Sequence, residues 1–70
     1  MDFNDINLDN VEYQDLTKLA INRNYSILFY ILNMRKDKFL EYKNILFIWS
    51  CHNNQYKLAV YLVLYYAVDP

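Results

Sequence analysis

Apolar residues at helical spacing alternate with short polar blocks along this chain. Leu16, Leu19 and Ala20 share one face of a helix because they lie at positions i, i+3 and i+4. Asp15, directly before them, is a residue type that caps helix N-termini. The polar block Asn22–Asn24 then ends the pattern, and asparagine tolerates the left-handed backbone of a tight turn. The pattern predicts a short first helix after Asp15 and a turn at residues 22–24.

Three further helices are predicted from the apolar stretches that follow. They cover residues 26–34, a stretch from about residue 42 or 44 to residue 51, and about residues 55–66. A polar connector, Arg35–Lys38, separates the first two of these, and an Asn-rich turn, His52–Asn54, separates the last two. The run Leu58–Val68 also has the composition of a buried strand, but its eleven residues without glycine or proline favour a helix.

A shift of 31 residues aligns the second half of the chain with the first. Three aligned pairs are identical: Asn22 with Asn53, Tyr25 with Tyr56 and Tyr30 with Tyr61. Five further pairs keep their size or apolar character: Leu16 with Phe47, Ala20 with Cys51, Ile27 with Leu58, Ile31 with Leu62 and Leu32 with Val63. Each copy consists of a short helix, an Asn-containing turn and a longer apolar helix. The sequence therefore predicts an internal repeat of two helical pairs.

The two copies, residues 15–32 (DLTKLAINRNYSILFYIL) and residues 45–70 (ILFIWSCHNNQYKLAVYLVLYYAVDP), resemble ankyrin repeats. In that family a short helix with a pair of small residues is followed by a turn, a helix rich in leucine and isoleucine, and a loop that starts the next repeat. Ser50 and Cys51 stand at the position of the small pair, and residues 67–70 look like a loosened form of the loop.

The chain also departs from the ankyrin pattern. Arg23 and Asn54 stand where the family has a turn glycine, and neither copy has the Thr-Pro-Leu-His start. The spacing of 31 rather than about 33 residues shortens or removes the hairpin finger between Asn33 and Glu41. The resemblance implies an all-α fold of two stacked antiparallel helix-turn-helix repeats, with hairpin fingers short or absent.

Composition agrees with a stacked arrangement. Hydrophobic residues make up 56% of the chain and aromatic residues 19%, which is more apolar surface than a 70-residue domain easily buries. Stacked repeats account for the excess, because each repeat buries its apolar face against a neighbour. We expect one domain, with an acidic lead-in over residues 1–12 and repeats over residues 13–40 and 41–70. It would either self-associate or belong to a longer array.

Charge is distributed unevenly along the chain. Residues 1–15 contain five acidic residues and no basic one, and the one basic cluster is Arg35, Lys36, Lys38 and Lys43. A nucleic-acid-binding surface typically has a longer basic stripe, so we interpret the cluster as a solvated loop and expect no nucleic-acid partner. The chain contains no glycine, which excludes glycine-rich phosphate-binding loops.

The adjacent residues Cys51 and His52 are a candidate nucleophile and base. Neighbouring side chains on a helix point about 100° apart, and no acid close in sequence orients the histidine. We expect Cys51 to be a small packed residue of its helix pair, because a buried free cysteine behaves as a small hydrophobe. One cysteine and one histidine are too few for a structural zinc site. The chain is predicted to be non-enzymatic, without metal or cofactor.

The predicted function is protein–protein interaction through helical repeats. In ankyrin-like folds the short first helices and the turns line the partner-binding side. The resemblance places six residues near that side: Lys18, Asn22, Arg23, Trp49, His52 and Asn53. The apolar last helix is predicted to provide a self-association or stacking face: Leu58, Tyr61, Leu62, Tyr65 and Tyr66. The alternative is a small homo-oligomeric α-helical regulator, of the viral or mobile-element type, with a Tyr-rich C-terminal interface.

An intracellular location, in the cytoplasm, is expected. The N-terminus is acidic and carries no secretory signal, and a single cysteine suits a reducing compartment. The longest apolar run is eleven residues, whereas a membrane-spanning helix needs about 20. A membrane-associated protein is therefore the less favoured alternative.

Overall fold

Five helices and one 3-10 turn account for most of residues 7–69. A computed structural model describes residues 7–69, and no strand occurs among them. The elements are α1 (Tyr13–Ile21), α2 (Tyr25–Met34), α3 (Lys36–Phe39), a 3-10 turn (Leu40–Tyr42), α4 (Lys43–His52) and α5 (Tyr56–Tyr65). The prediction of an all-α fold is confirmed. The first six residues of the predicted acidic lead-in, and Pro70, lie outside the described residues.

Helix α1 begins earlier than the pattern of apolar residues predicted. The N-cap is Glu12 rather than Asp15, which lies in the first turn as the third helical residue. The backbone N–H of Glu12 donates to Asp15 Oδ2 at 2.8 Å. The Asp15 carboxylate therefore satisfies the backbone donor of the N-cap residue, as in a capping box. An acidic side chain at this end also interacts favourably with the helix dipole.

The two helix pairs, α1–α2 and α4–α5, are joined by turns with the same backbone geometry. In the first turn Arg23 has a φ of 60°, and in the second Asn54 has a φ of 58°. The residue that follows each of these two donates its N–H to the carbonyl five residues earlier. Asn24 donates to Leu19 at 2.9 Å, and Gln55 donates to Ser50 at 2.7 Å. This is the Schellman ending of a helix, and it occurs at positions 31 residues apart.

Contacts among the four longer helices build most of the core. Helix α1 packs on α2, α4 packs on α5, and α2 packs against α5. The largest fully buried side chains come from these helices, from α3 and from the residue that follows α5: Leu16, Leu28, Ile31, Leu32, Phe39, Leu46, Leu58, Leu62 and Tyr66. The radius of gyration is 11.1 Å, which matches the value of about 11 Å for a folded domain of this length. The buried side chains form one cluster, so a single copy of the chain has a core of its own.

The region between the two helix pairs is helical rather than the predicted polar connector. Helix α3 and the 3-10 turn occupy residues 36–42, and Phe39, the last residue of α3, is fully buried. No hairpin finger is present here among the described residues, as expected from the short repeat spacing. Burial of Phe39 explains why this segment folds, since the charged residues around it supply little apolar surface of their own.

The basic cluster is not a freely solvated loop, because two of its members hold the segment before α1. Arg35 Nη1 donates to the Leu8 carbonyl at 3.2 Å and lies 3.1 Å from Asp9 Oδ1. Arg35 Nε also lies 3.2 Å from Asp37 Oδ1, and this hydrogen bond lowers the pKa of the Asp37 carboxyl. Lys38 Nζ donates to the Val11 carbonyl, next to the start of α1.

Candidate interaction surface

Aromatic rings join α2 to α5. Phe29 and Tyr61 stack with their ring centroids 4.4 Å apart and their planes at 2°. Tyr25 extends the row on one side of Phe29, at 5.7 Å, and Tyr65 lies 4.7 Å from Tyr61 on the other. The Tyr61 hydroxyl donates to the Phe29 carbonyl at 3.4 Å, and burial raises the pKa of this hydroxyl. These four rings, the aromatic row, fix how α5 sits on α2.

The chain after α5 turns back onto α2. Tyr66 is buried, and its hydroxyl donates to the Leu32 carbonyl at 2.5 Å. Ala67 adopts a left-handed conformation with a φ of 54°, and the backbone then delivers Val68 into the core. Burial, more than the neighbouring Tyr61, raises the pKa of Tyr66 far above its ordinary value. The tail therefore locks one side of α5 in place.

The other side of α5 is apolar and uncovered. Four side chains on it, which we call the α5 surface, expose more than half of their area: Tyr56 (65%), Val60 (56%), Leu64 (68%) and Tyr65 (59%). The first three lie at positions i, i+4 and i+8 and so form a single stripe along the helix. A helix that is apolar on every side is normally enclosed on every side. Here α5 packs against α2 and α4, and the stripe of Tyr56, Val60 and Leu64 is left uncovered.

Two grooves run along the α5 surface. The larger one, of about 550 Å³, lies against α2 and is lined by Phe29, Tyr56, Lys57, Val60, Tyr61, Leu64 and Tyr65. The smaller one, of about 280 Å³, lies against α4 and is lined by Phe47, Ala59, Val60, Val63 and Leu64. Val60 and Leu64 form the ridge between the grooves. Among these lining residues Lys57 alone carries a charge, and its Nζ lies 5.2 Å from the centre of the Tyr25 ring.

The residues predicted for self-association or stacking separate into two groups. Leu58, Leu62 and Tyr66 are buried in the chain's own core, so they are not available on the surface of this structure. Their burial follows from the docking of α5 on α2, which the sequence pattern did not resolve. Tyr61 is half-buried in the aromatic row, and Tyr65 is exposed.

Three members of the α5 surface were missed by the sequence analysis. Tyr56, Val60 and Leu64 share one stripe of α5, and their spacing of four residues was a signal that could have identified them. The sequence did not distinguish this stripe, because residues on the opposite face of α5, such as Leu58 and Leu62, are equally apolar. Only the position of α2 decides which stripe is covered.

The six polar and aromatic residues predicted near a partner-binding side lie elsewhere. Lys18 is on α1, Trp49 and His52 are on α4, and the others are in the two turns. Five of them are exposed: Lys18, Asn22, Arg23, His52 and Asn53. Trp49 is half-buried against the core, and its carbonyl accepts a hydrogen bond from Asn53 Nδ2 at 2.8 Å. None of the six lines either groove along α5.

The expected packing of the small pair on α4 is wrong for one of its members. Cys51 is exposed, whereas Ser50 is fully buried and donates its hydroxyl to the Phe47 carbonyl at 2.7 Å. That intrahelical bond satisfies the hydroxyl, so the small side chain of Ser50 can be buried without an unpaired polar group. His52 is also exposed. Within residues 7–69, no group of three or more His, Cys, Asp or Glu side chains could hold a metal ion.

Comparison with known proteins identifies no relative. The chain matches no family model, no curated protein sequence and no solved structure. In the part of the chain that the structure describes, no helix combines the length and the hydropathy that crossing a membrane requires.

Proposed function

We propose that this chain is a non-enzymatic protein–protein interaction module that docks its partner on the α5 surface. The observation that carries the proposal is the stripe of Tyr56, Val60 and Leu64, each more than half exposed and bordered by two apolar grooves. Folded monomers rarely expose a contiguous apolar patch of more than a few hundred Å², and larger patches mark interaction sites.

The internal similarity of the chain supports a helical partner. A shift of 31 residues relates Tyr56 and Val60 of the α5 surface to Tyr25 and Phe29, which are the α2 residues that receive α5. Within the chain, the surface around Phe29 is covered by a helix that presents an aromatic ring. An equivalent surface on α5 suits a partner helix of similar character. The same correspondence supports our proposal of an ankyrin-like arrangement of the two helix pairs.

An intracellular location, in the cytoplasm, forms part of the proposal. Cys51 is the one cysteine of the sequence and lies exposed on α4, outside any apolar packing. An exposed thiol persists in a reducing compartment, whereas an oxidising one favours its pairing.

Site-specific photo-crosslinking in cells that express the chain tests the proposal. A benzophenone side chain at position 64 is expected to give a discrete protein adduct, because this position is the most exposed part of the α5 surface. The matched control is position 33, which is exposed on α2 and is related to position 64 by the 31-residue shift. Addition of Val60→Asp should abolish the adduct. Equal adducts at both positions, or none at position 64, would contradict the proposal.

A further inference from the structure

We infer that the partner on the α5 surface is a second copy of this chain, bound about a two-fold axis with the two α5 helices antiparallel. The inference rests on the proposed function, since it names the occupant of the same surface. A two-fold contact pairs a surface with itself, so the surface must be free of repulsion when it meets its own copy. The charges and the distribution of residues on α5 meet this condition in one orientation.

Charge favours the antiparallel orientation. Lys57 lies in the first turn of α5, and Asp69 is exposed just beyond the C-terminal end of the same helix. The carbonyl end of a helix also carries partial negative charge. Antiparallel pairing brings each Lys57 to the negative end of the other α5 and separates the two lysines by up to the helix length of about 15 Å. Parallel pairing would place the two lysines together.

The order of side chains along α5 favours the same orientation. Tyr56 lies at the N-terminal end of the α5 surface, Tyr65 at the C-terminal end, and Val60 near the middle. In an antiparallel pair each Tyr56 approaches Tyr65 of the second copy, and such aromatic pairs are favourable beyond the area that they bury. Val60 of each copy then lies near the two-fold axis, and Leu64 packs close to Tyr56 of the second copy. The ridge of Val60 and Leu64 on one copy packs into a groove of the other.

The exposed area of the α5 surface indicates how stable the dimer should be. The four side chains of the α5 surface expose on the order of 400 Å². The half-buried groove residues Phe29, Phe47, Tyr61 and Val63 add to this, for roughly 600 Å² per copy. That is the lower end of the range for stable interfaces, about 600–1,000 Å² per partner. Since one copy already has a complete core, we expect a reversible dimer of folded monomers.

Sedimentation equilibrium of the full chain from about 1 µM to 1 mM tests the inference. The mass is expected to rise from that of one chain, 8.6 kDa, to that of two, and to stop there. Val60→Asp and, independently, Leu64→Glu should remain monomeric over the whole range. Both positions are exposed, so far-ultraviolet circular dichroism should show unchanged helix content. Asn33→Asp, on the exposed side of α2, is the matched control and should leave dimerisation unchanged.

A charge exchange tests the orientation. Lys57→Glu should weaken the dimer by up to about fivefold, and Lys57→Glu combined with Asp69→Lys should restore it, because the pair is re-formed with opposite signs. Failure of the double variant to recover overturns the antiparallel arrangement.

Three results overturn the inference as a whole: a wild-type chain that stays monomeric, masses that grow beyond two copies, or a dimer that survives Val60→Asp and Leu64→Glu. Crosslinking from position 64 separates this failure from that of the proposed function. An adduct with twice the mass of the chain supports the dimer. An adduct with a different protein, formed by a monomeric chain, overturns the dimer and leaves the proposed function standing.

Discussion

Arg23 and Asn54 end α1 and α4 in the left-handed region, where most side chains are disfavoured. Asparagine tolerates this region because its short side chain can hydrogen-bond locally, whereas arginine gains no such relief. The two turns have the same pattern of backbone hydrogen bonds. The steric cost of the left-handed conformation therefore differs between them only because the residue types differ. Glycine would remove the steric cost at either position.

Arg23→Gly should therefore stabilise the chain by about 1 kcal/mol. Asn54→Gly provides the matched comparison, and its gain should be smaller, because asparagine already adopts the conformation with little strain. Urea unfolding followed by circular dichroism measures both free energies. A lower free energy of unfolding in Arg23→Gly would contradict this prediction. It would mean that contacts of the arginine side chain stabilise the fold by more than its backbone strain destabilises it.

Tyr66 makes the stability of the fold depend on alkaline pH. Burial raises its pKa, so the folded chain holds the phenolic proton more tightly than the unfolded chain does. This contribution is complete below pH 10, the ordinary pKa of tyrosine, and is lost as the pH rises above it. Tyr13 and Tyr61, whose pKa values are also raised by burial, act in the same direction.

Tyr66→Phe should cost about 1 kcal/mol at neutral pH, since the Leu32 carbonyl loses a hydrogen-bond donor. The free energy of unfolding of the wild-type chain should decrease between pH 10 and about pH 11.5, and this decrease should be smaller in Tyr66→Phe. Urea unfolding at a series of pH values measures both effects. Tyr56→Phe removes an exposed hydroxyl and is the control; equal changes in the two variants would contradict a special role for Tyr66.

At the scale of the elements, Ser50 and Cys51 define the two sides of α4. The serine faces the core and the cysteine faces outward, although both are small and adjacent. Helical geometry turns neighbouring side chains by about 100°, so one of them can be enclosed while the other is not. Ser50 is fully enclosed, so this position leaves no room for a larger side chain in the present orientation of α4.

Ser50→Leu should destabilise the chain by about 1–3 kcal/mol, because the added atoms must displace packed neighbours. Cys51→Leu introduces the same side chain one position later on the exposed side, and its effect should stay within about 0.5 kcal/mol. Thermal and urea unfolding of the two variants form a matched test. Similar losses in both would mean that Cys51 also faces the core.

The helices that carry most apolar residues could be predicted closely from the sequence. Helix α2 was expected at residues 26–34 and occupies Tyr25–Met34, and α5 was expected at about 55–66 and occupies Tyr56–Tyr65. Local spacing sufficed for these two helices. Helix α3 was missed because its formation depends on burying Phe39, a long-range effect that a charged local sequence does not reveal.

The α5 surface was less predictable than the helices. Tyr65 was expected on it and is exposed, but Val60 and Leu64 were not identified. Because α5 is apolar on nearly every side, its sequence does not determine which stripe faces the core. That choice depends on the stacking of Tyr61 on Phe29 and on the bond from Tyr66 to Leu32, which link residues more than 30 positions apart.

For the whole molecule, a complete core and an uncovered apolar surface coexist. The monomer has the compactness of a folded domain, and yet α5 presents Val60 and Leu64 to solvent. Binding that occurs only in the folded state stabilises the fold by mass action. The proposed association through α5 therefore predicts that thermal stability depends on protein concentration.

The thermal unfolding midpoint of the chain should accordingly rise with protein concentration. Val60→Asp should unfold at a midpoint that does not change with concentration, because the exposed site no longer associates. Circular dichroism melts over the concentration range used for sedimentation measure both. A midpoint of the wild-type chain that is independent of concentration would exclude association linked to folding.

The three-residue turns between paired helices have a consequence for the time course of folding. Each pair brings together helices that are neighbours in sequence, so little chain entropy is lost in closing the loop between them. Chains with such local contacts typically fold in microseconds to milliseconds. The contact between α2 and α5 spans about 30 residues and is the slower one to form. Docking of Tyr66 beneath α2 would then complete the fold after both helix pairs exist.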